Sequence, residues 1–121
     1  MYKNYQIPYK IVGQYKLVDC FLAYFKASFV IDLTKAKSCL NSRYFRKTSG
    51  DSMSVDKLNC RFISKKNLNL PLEECGDYEN DRRMVHGVLG RDFFEEYQLL
   101  SDDPENLMLF FFKGEQINYG C

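Results

Sequence analysis

Phe29-Val30-Ile31-Asp32-Leu33-Thr34 is an apolar run that ends on a carboxylate, and the rest of the chain is read outward from it. A carboxylate at the end of a buried strand is costly to ionise without hydrogen-bond donors, a counter-charge or a shared proton. Such a position is either a capped strand end or a place where chemistry is done. Upstream, Tyr15 to Asp32 is rich in β-branched and aromatic residues. Leu17, Asp19, Phe21, Ala23 and Phe25 interleave there with Lys16, Val18, Cys20, Leu22 and Tyr24. This predicts two strands with a turn near Tyr24-Phe25-Lys26-Ala27, although that turn lacks Gly, Asn and Pro and a helix is the competing reading. Pro8 and Gly13 flank Tyr9-Lys10-Ile11-Val12, which reads as a short, edge-type strand.

Downstream of Asp32, the polar segment Thr34 to Ser38 gives way to Cys39-Leu40. The reading of Asp32 to Phe45 is a turn, a short strand, and one helical turn capped by Asn41 or Ser42. Arg46 to Val55 is polar with Gly50-Asp51 at its centre and reads as a surface loop or hairpin tip. Leu58 to Ile63 alternates as one half-buried strand, and Asn67 to Leu72 reads as another, ended by Pro71. Glu73 to Arg83 is charged and reads as a solvated loop. Phe93, Phe94, Tyr97 and Leu100 recur at spacings of three and four behind Asp92, a helix signal over Phe93 to Leu100. Asp102-Asp103-Pro104-Glu105-Asn106 is a turn. Leu107 to Phe112 is an apolar strand, buried on both faces or paired in an interface, and its expected partner is the N-terminal strand, of this chain or of a second.

At 121 residues the chain has the length of one domain, residues 1–121. A net charge of +1 gives no electrostatic case for nucleic acid or an anionic membrane, and no run is apolar enough to span a bilayer. Ten Phe and nine Tyr without Trp point to an aromatic core. The five cysteines show no metal-ligand spacing, so no metal or cofactor is expected, and Cys20, Cys39 and Cys60 read as small core residues. The first residues carry no secretory apolar region, which places the protein, as an expectation, in the reducing cytoplasm.

A second stretch, Val88-Leu89-Gly90-Arg91-Asp92-Phe93-Phe94, joins the first in a known order. Strand-Asp-loop, polar hairpin, strands, then hydrophobic-Leu-Gly leading into a short helix and a last strand resembles the retropepsin-like aspartic peptidases. In that family a hydrophobic-hydrophobic-Asp-Thr-Gly-Ala loop carries the catalytic aspartate, and a hydrophobic-Leu-Gly-Arg-Asp/Asn motif packs around it. Val30-Ile31-Asp32 matches the start of the first motif, but Leu33, Thr34 and Lys35 stand where the family has Thr, Gly and Ala. Leu33 cannot make the bond by which the family's Thr ties two loops of a dimer together. Thr34 brings a β-branched side chain to a Gly position, although its hydroxyl offers a replacement donor. An offset reading, with Thr34 as the family's Thr, requires one inserted residue after Asp32.

The resemblance implies a small, mainly β, closed retropepsin-like barrel with one short C-terminal helix. It implies Asp32 and Thr34 as the catalytic pair of positions, with Leu33, Lys35 and a flap-like tip at Gly50 toward a peptide or protein substrate. Leu89, Gly90, Arg91 and Asp92 form the bracing junction. Because one chain supplies one such loop, activity implies a homodimer in which two Asp32 carboxylates share a proton. The plainer reading of Asp32 is a strand end or an ion-pair partner of Arg91 or a nearby lysine. That reading goes with a non-catalytic dimerisation or peptide-binding module. His86, the one histidine, reads as a surface or junction residue.

Overall fold

A computed structural model describes residues 4–45, 51–79 and 83–113. Its strands are β1 (Asn4–Pro8), β2 (Lys10–Val12), β3 (Tyr15–Leu22), β4 (Phe25–Ile31), β5 (Cys39–Asn41), β6 (Ser52–Cys60), β7 (Ile63–Glu73), β8 (Gly87–Leu89), β9 (Tyr97–Asp103) and β10 (Met108–Lys113). One α-helical turn, α1 (Ser42–Phe45), follows β5, and 3-10 turns cover Gly76–Tyr78 and Arg91–Phe94. Strands β3-β4-β8-β5-β7-β6 run in that order, and β6 pairs back onto β3 to close a six-stranded barrel, with β2 appended to β3. A second sheet, ordered β1-β10-β9, is antiparallel throughout. The mainly β, closed barrel that the resemblance implies is the fold observed.

The continuous apolar run of β4 is explained by burial on both faces. Phe29 and Ile31 join a large core with Val18, Leu40, Leu58, Leu89, Phe94 and Phe111. Val30 turns the other way into a smaller cluster with Val12, Leu17, Cys39, Cys75, Val85 and Val88, over which Tyr15 and Tyr78 pack.

Several local expectations shift. The β3–β4 hairpin turns at Ala23-Tyr24, two residues before the expected Tyr24–Ala27, with Leu22 opposite Phe25 and Ala23 at φ 53°. Two-residue hairpin loops demand positive φ, and without Gly or Asn to mark it the position is invisible in sequence. The same holds for Leu58 to Ile63, expected as one strand. It is broken at Arg61-Phe62, where Cys60 pairs with Ile63 and Arg61 takes φ 54°. Pro71 does not end a strand but lies within β7, opposite Ser52. Ser52 to Val55, expected in a loop, begins β6. Arg46 to Gly50, including the candidate substrate residue Gly50, lie outside the described residues.

The helix expected over Phe93 to Leu100 is one 3-10 turn, Arg91–Phe94, followed by β9. Phe93 and Phe94 are buried, but Leu99 and Leu100 are each 44% exposed. The apparent helical spacing therefore combines two elements. A register irregularity opposite Phe110/Phe111, where Ser101 and Leu99 are the paired residues, skips Leu100 and lets two consecutive leucines occur in a strand. Strand β10 is central in its sheet and pairs with β1 of the same chain, Asn4 opposite Phe112 through Pro8 opposite Met108. It is fully buried on one face only: Leu109 and Phe111 face the core, while Met108, Phe110 and Phe112 are half-buried.

Candidate functional site

Asp32 leaves β4 beside β8. The two strands are parallel, with Val30 opposite Val88 and Ile31 opposite Leu89, and the Asp32 N–H donates to the Leu89 carbonyl at 3.0 Å. The expected juxtaposition of Val30–Asp32 with Val88–Gly90 is thus present. Below Asp32 the loop Leu33–Lys37 is laced to the junction: Arg91 N–H donates to the Lys35 carbonyl at 2.9 Å and Asp92 N–H to that of Ala36 at 3.2 Å. A side chain on Gly90 would meet the Lys35 carbonyl oxygen at 2.6 Å and the Lys37 backbone at 2.9 Å, so only glycine admits this approach.

Ser38, 1% exposed, completes the brace. Its N–H and hydroxyl both donate to Asp92 Oδ1, at 2.9 and 2.6 Å, while its oxygen accepts the Gly90 N–H at 2.9 Å. Gly90, Arg91 and Asp92 therefore act on the loop through backbone groups and one carboxylate. Leu89 is fully buried in the core.

The Asp32 carboxylate is half-buried, with donors on both oxygens. Oδ1 accepts the Thr34 N–H at 3.0 Å and the Thr34 hydroxyl; Oδ2 accepts the Tyr78 hydroxyl at 2.7 Å. Burial opposes ionisation here. The Thr34 hydroxyl, the Tyr78 phenol and the Thr34 amide together outweigh it, with a smaller contribution from the Lys35 charge, and hold the carboxyl below its ordinary value. Burial and the adjacent Asp32 push the Tyr78 phenol strongly upward, so it remains a donor.

The other candidates fall on different surroundings. Leu33 packs against the main core. Lys35 ion-pairs with Glu73 at 2.8 Å, and that bond raises its own pKa. The ion-pair reading of Asp32 is met by neither cation directly: Arg91 reaches the loop through its backbone, and Lys35 engages Glu73. His86 is a junction residue. Its Nδ1 accepts the Ser28 N–H at 3.0 Å, its N–H donates to the Ser28 carbonyl at 2.7 Å, and its carbonyl receives the Asn41 N–H at 2.8 Å.

Residues Tyr78, Ser38 and Glu79 were not evident from sequence. Tyr78 is the single aromatic in the charged stretch Glu73 to Arg83, and that contrast was the available signal. Glu79, expected to be solvated, is instead 14% exposed at its side chain. It accepts bonds from Tyr44 at 2.8 Å, Arg43 at 3.0 Å and Asn41 at 3.3 Å. Asn41 caps α1 as anticipated, its Oδ1 accepting the Arg43 N–H at 3.0 Å. Cys39 and Cys75, distant in sequence, share the smaller cluster against which Tyr78 packs, and the Cys75 thiol donates to the Glu73 carbonyl at 3.7 Å; the neighbouring Cys39 thiol and burial raise the Cys75 thiol.

Among the described residues no cluster of His, Cys, Asp and Glu could hold a metal ion, and no helix is long and apolar enough to cross a membrane. Chemically, the site is one ionised carboxylate at the surface of a rigid loop. It can accept hydrogen bonds or activate a water, and among the described residues no second carboxylate hydrogen-bonds to it as a proton partner.

No known family profile matches the chain, nor does any curated protein sequence. Among solved structures, a retropepsin-like aspartic protease from Rickettsia conorii superposes with a TM-score of 0.62 at 13% identity, over 93% of this chain and 94% of that one. At that identity the likeness is one of fold.

Proposed function

We propose that this chain is a retropepsin-like domain that acts on extended peptides as a homodimer through Asp32, with hydrolysis weak at neutral pH and strongest in mild acid. The observation that carries this reading is the placement of Asp32. Asp32 follows directly on a strand buried on both faces, its backbone N–H donating to the Leu89 carbonyl, and its loop is braced by a Gly90 that tolerates no side chain. The likeness of fold to a retropepsin-like aspartic protease over 93% of this chain adds support.

In this reading two symmetry-related Asp32 carboxylates approach each other across a two-fold axis and share one proton. One then activates water and the other protonates the substrate carbonyl or leaving group. Thr34 supplies the donors that orient each carboxylate. Leu33, turned into the core, leaves the two loops without a polar tie. A displacement of about 1 Å can cost about 100-fold in rate, hence weak activity. Strand β10 is already paired with β1 of its own chain, so the dimer forms through other surface, including the sheet edges β1 and β9. Four described cysteines are free thiols, as a reducing, cytoplasmic setting would keep them.

A second reading, a peptide-binding module without hydrolysis, is favoured by one specific feature. Both Asp32 oxygens are occupied by donors of the same chain, which stabilises the fully ionised state over a shared proton. The test is cleavage of a denatured-protein or peptide library from acid to neutral pH, with sedimentation at matched concentrations. Acid-favoured cleavage abolished in Asp32→Asn, by a dimer, supports the peptidase. Equal background in both proteins supports the module, and a monomer at every concentration removes the two-chain dyad.

A further inference from the structure

Asp32 Oδ1 is occupied by Thr34 from two residues away, which leaves Oδ2 as the oxygen through which a water, a peptide or a second carboxyl group would act. Oδ2 is covered by the Tyr78 hydroxyl at 2.7 Å, brought from 46 residues downstream. The cover is built rather than incidental. Tyr78 closes the 3-10 turn Gly76–Tyr78, its N–H donating to the Cys75 carbonyl at 3.0 Å. On the N-terminal side the turn is anchored by Cys75, 2% exposed. On the C-terminal side Glu79 is held by Tyr44, Arg43 and Asn41. The Tyr78 ring packs over Tyr15 with centroids 4.7 Å apart, on the apolar cluster of Val12, Leu17 and Val30. Both rings also line an open cleft of about 340 Å³ with Gly13, Gln14 and Asp77.

We infer that Tyr78 is a positioning residue for Asp32: its hydroxyl holds Oδ2 in each free chain, and this bond must be given up before the carboxylate can share a proton. The inference rests on the peptidase reading for its consequence in catalysis, but the bond itself is a property of the single chain. Rotation of one side chain suffices for release, because the turn that carries it is fixed at both ends. Until release, the phenol supplies the proton side of the hydrogen bond that a second carboxyl group would otherwise supply, and Asp32 stays ionised. The direction of both titrations agrees: the carboxyl is held down and the phenol pushed up.

Tyr78→Phe keeps the ring on Tyr15 and deletes only the donor. The experiment is a carboxyl-carbon NMR titration of Asp32 in the wild-type chain and in Tyr78→Phe, with thermal denaturation to establish that both are folded, and peptide-library cleavage across the same pH range. The expected result is that Asp32 titrates at higher pH in Tyr78→Phe. Cleavage near neutral pH should then rise roughly tenfold, the rate equivalent of one charge-assisted hydrogen bond. A tyrosine that only packed would leave the Asp32 titration unmoved, and an unmoved titration overturns the inference, whatever the cleavage result. The two proposals fail separately. A shifted titration with no cleavage in either protein keeps Tyr78 as the positioning residue and removes the peptidase. An unshifted titration with acid cleavage that Asp32→Asn abolishes does the reverse.

Discussion

Asp32 and Asp92 solve the same hydrogen-bonding problem in two ways. Each accepts on one oxygen a backbone N–H and a hydroxyl of a single residue: Thr34 for Asp32, Ser38 for Asp92. The Thr34 donors come from two residues away in an exposed turn, whereas Ser38 lies 54 residues from Asp92 and is 1% exposed. The distant pair is a brace that ties the loop after β4 to the junction after β8. The local pair leaves the loop's shape to that brace and serves only to orient a carboxylate whose other oxygen meets Tyr78. Sequence separation and the burial of the donor residue, rather than the donor set, distinguish the structural acid from the candidate functional one.

Breaking the brace should have the larger effect on stability. Asp92→Ala leaves the buried Ser38 N–H and hydroxyl without their acceptor, and each buried unsatisfied group costs about 1–3 kcal/mol. A loss of about 3 kcal/mol in urea unfolding is expected, with the loop Leu33–Lys37 losing amide-exchange protection first. A loss below 1 kcal/mol would mean that the two carboxylates are equivalent and the comparison fails. Gly90→Ala attacks the same brace by overpacking, since its Cβ would sit 2.6 Å from the Lys35 carbonyl oxygen. A cost of about 2 kcal/mol is expected, measured in the same way.

On the other carboxylate, Thr34→Val removes a hydroxyl donor but keeps the amide. The expected loss of stability at neutral pH is below about 1 kcal/mol, because Thr34 is exposed. Its signature is instead a pH dependence. The folded Asp32 carboxyl titrates below its ordinary value of 3.8, so its contribution is complete above that pH and is lost as pH falls through the folded value. Thr34→Val raises the folded value toward 3.8 and shrinks the acid-dependent part, which urea unfolding between pH 5 and about 2 would read. An unchanged acid profile would place the ionisation of Asp32 outside the reach of Thr34.

The smallest effect is expected at His86. Burial holds its imidazole below the usual 6.5, opposed by the charge of Glu79, and the rings of Phe25, Tyr44 and Phe45 surround it. The unfolded chain therefore binds the proton first. Stability from the neutral ring is complete above pH 6.5 and falls as pH drops from there toward the folded value. Melting temperatures of wild type and His86→Gln, compared between about pH 7.5 and 5, should show a decline in the former that is flattened in the latter.

Phe29-Val30-Ile31-Asp32, the Leu89-Gly90 junction, the Asn41 cap and the apolar strand β10 were legible in sequence, because each is a local pattern: a period, a run, or a residue type that only one backbone geometry admits. Turns without glycine or asparagine were misplaced, at Ala23 and Arg61, since the positive φ there is imposed by pairing of the flanking strands rather than by the residue. The helix expected over Phe93 to Leu100 was lost for the same reason. β10 offered an open ladder, and its hydrogen bonds drew Tyr97 onward into a strand. At the site, Asp32 and the Thr34 hydroxyl were legible because they lie only two positions apart. The Ser38–Asp92 brace, the Lys35–Glu73 pair and the Tyr78 hydroxyl on Oδ2 join residues 38 to 54 positions apart. The sequence carried the residues able to donate and accept those bonds. Which of them meet depends on the register in which β4, β8, β5 and β7 close the barrel, and that register belongs to the packed chain as a whole.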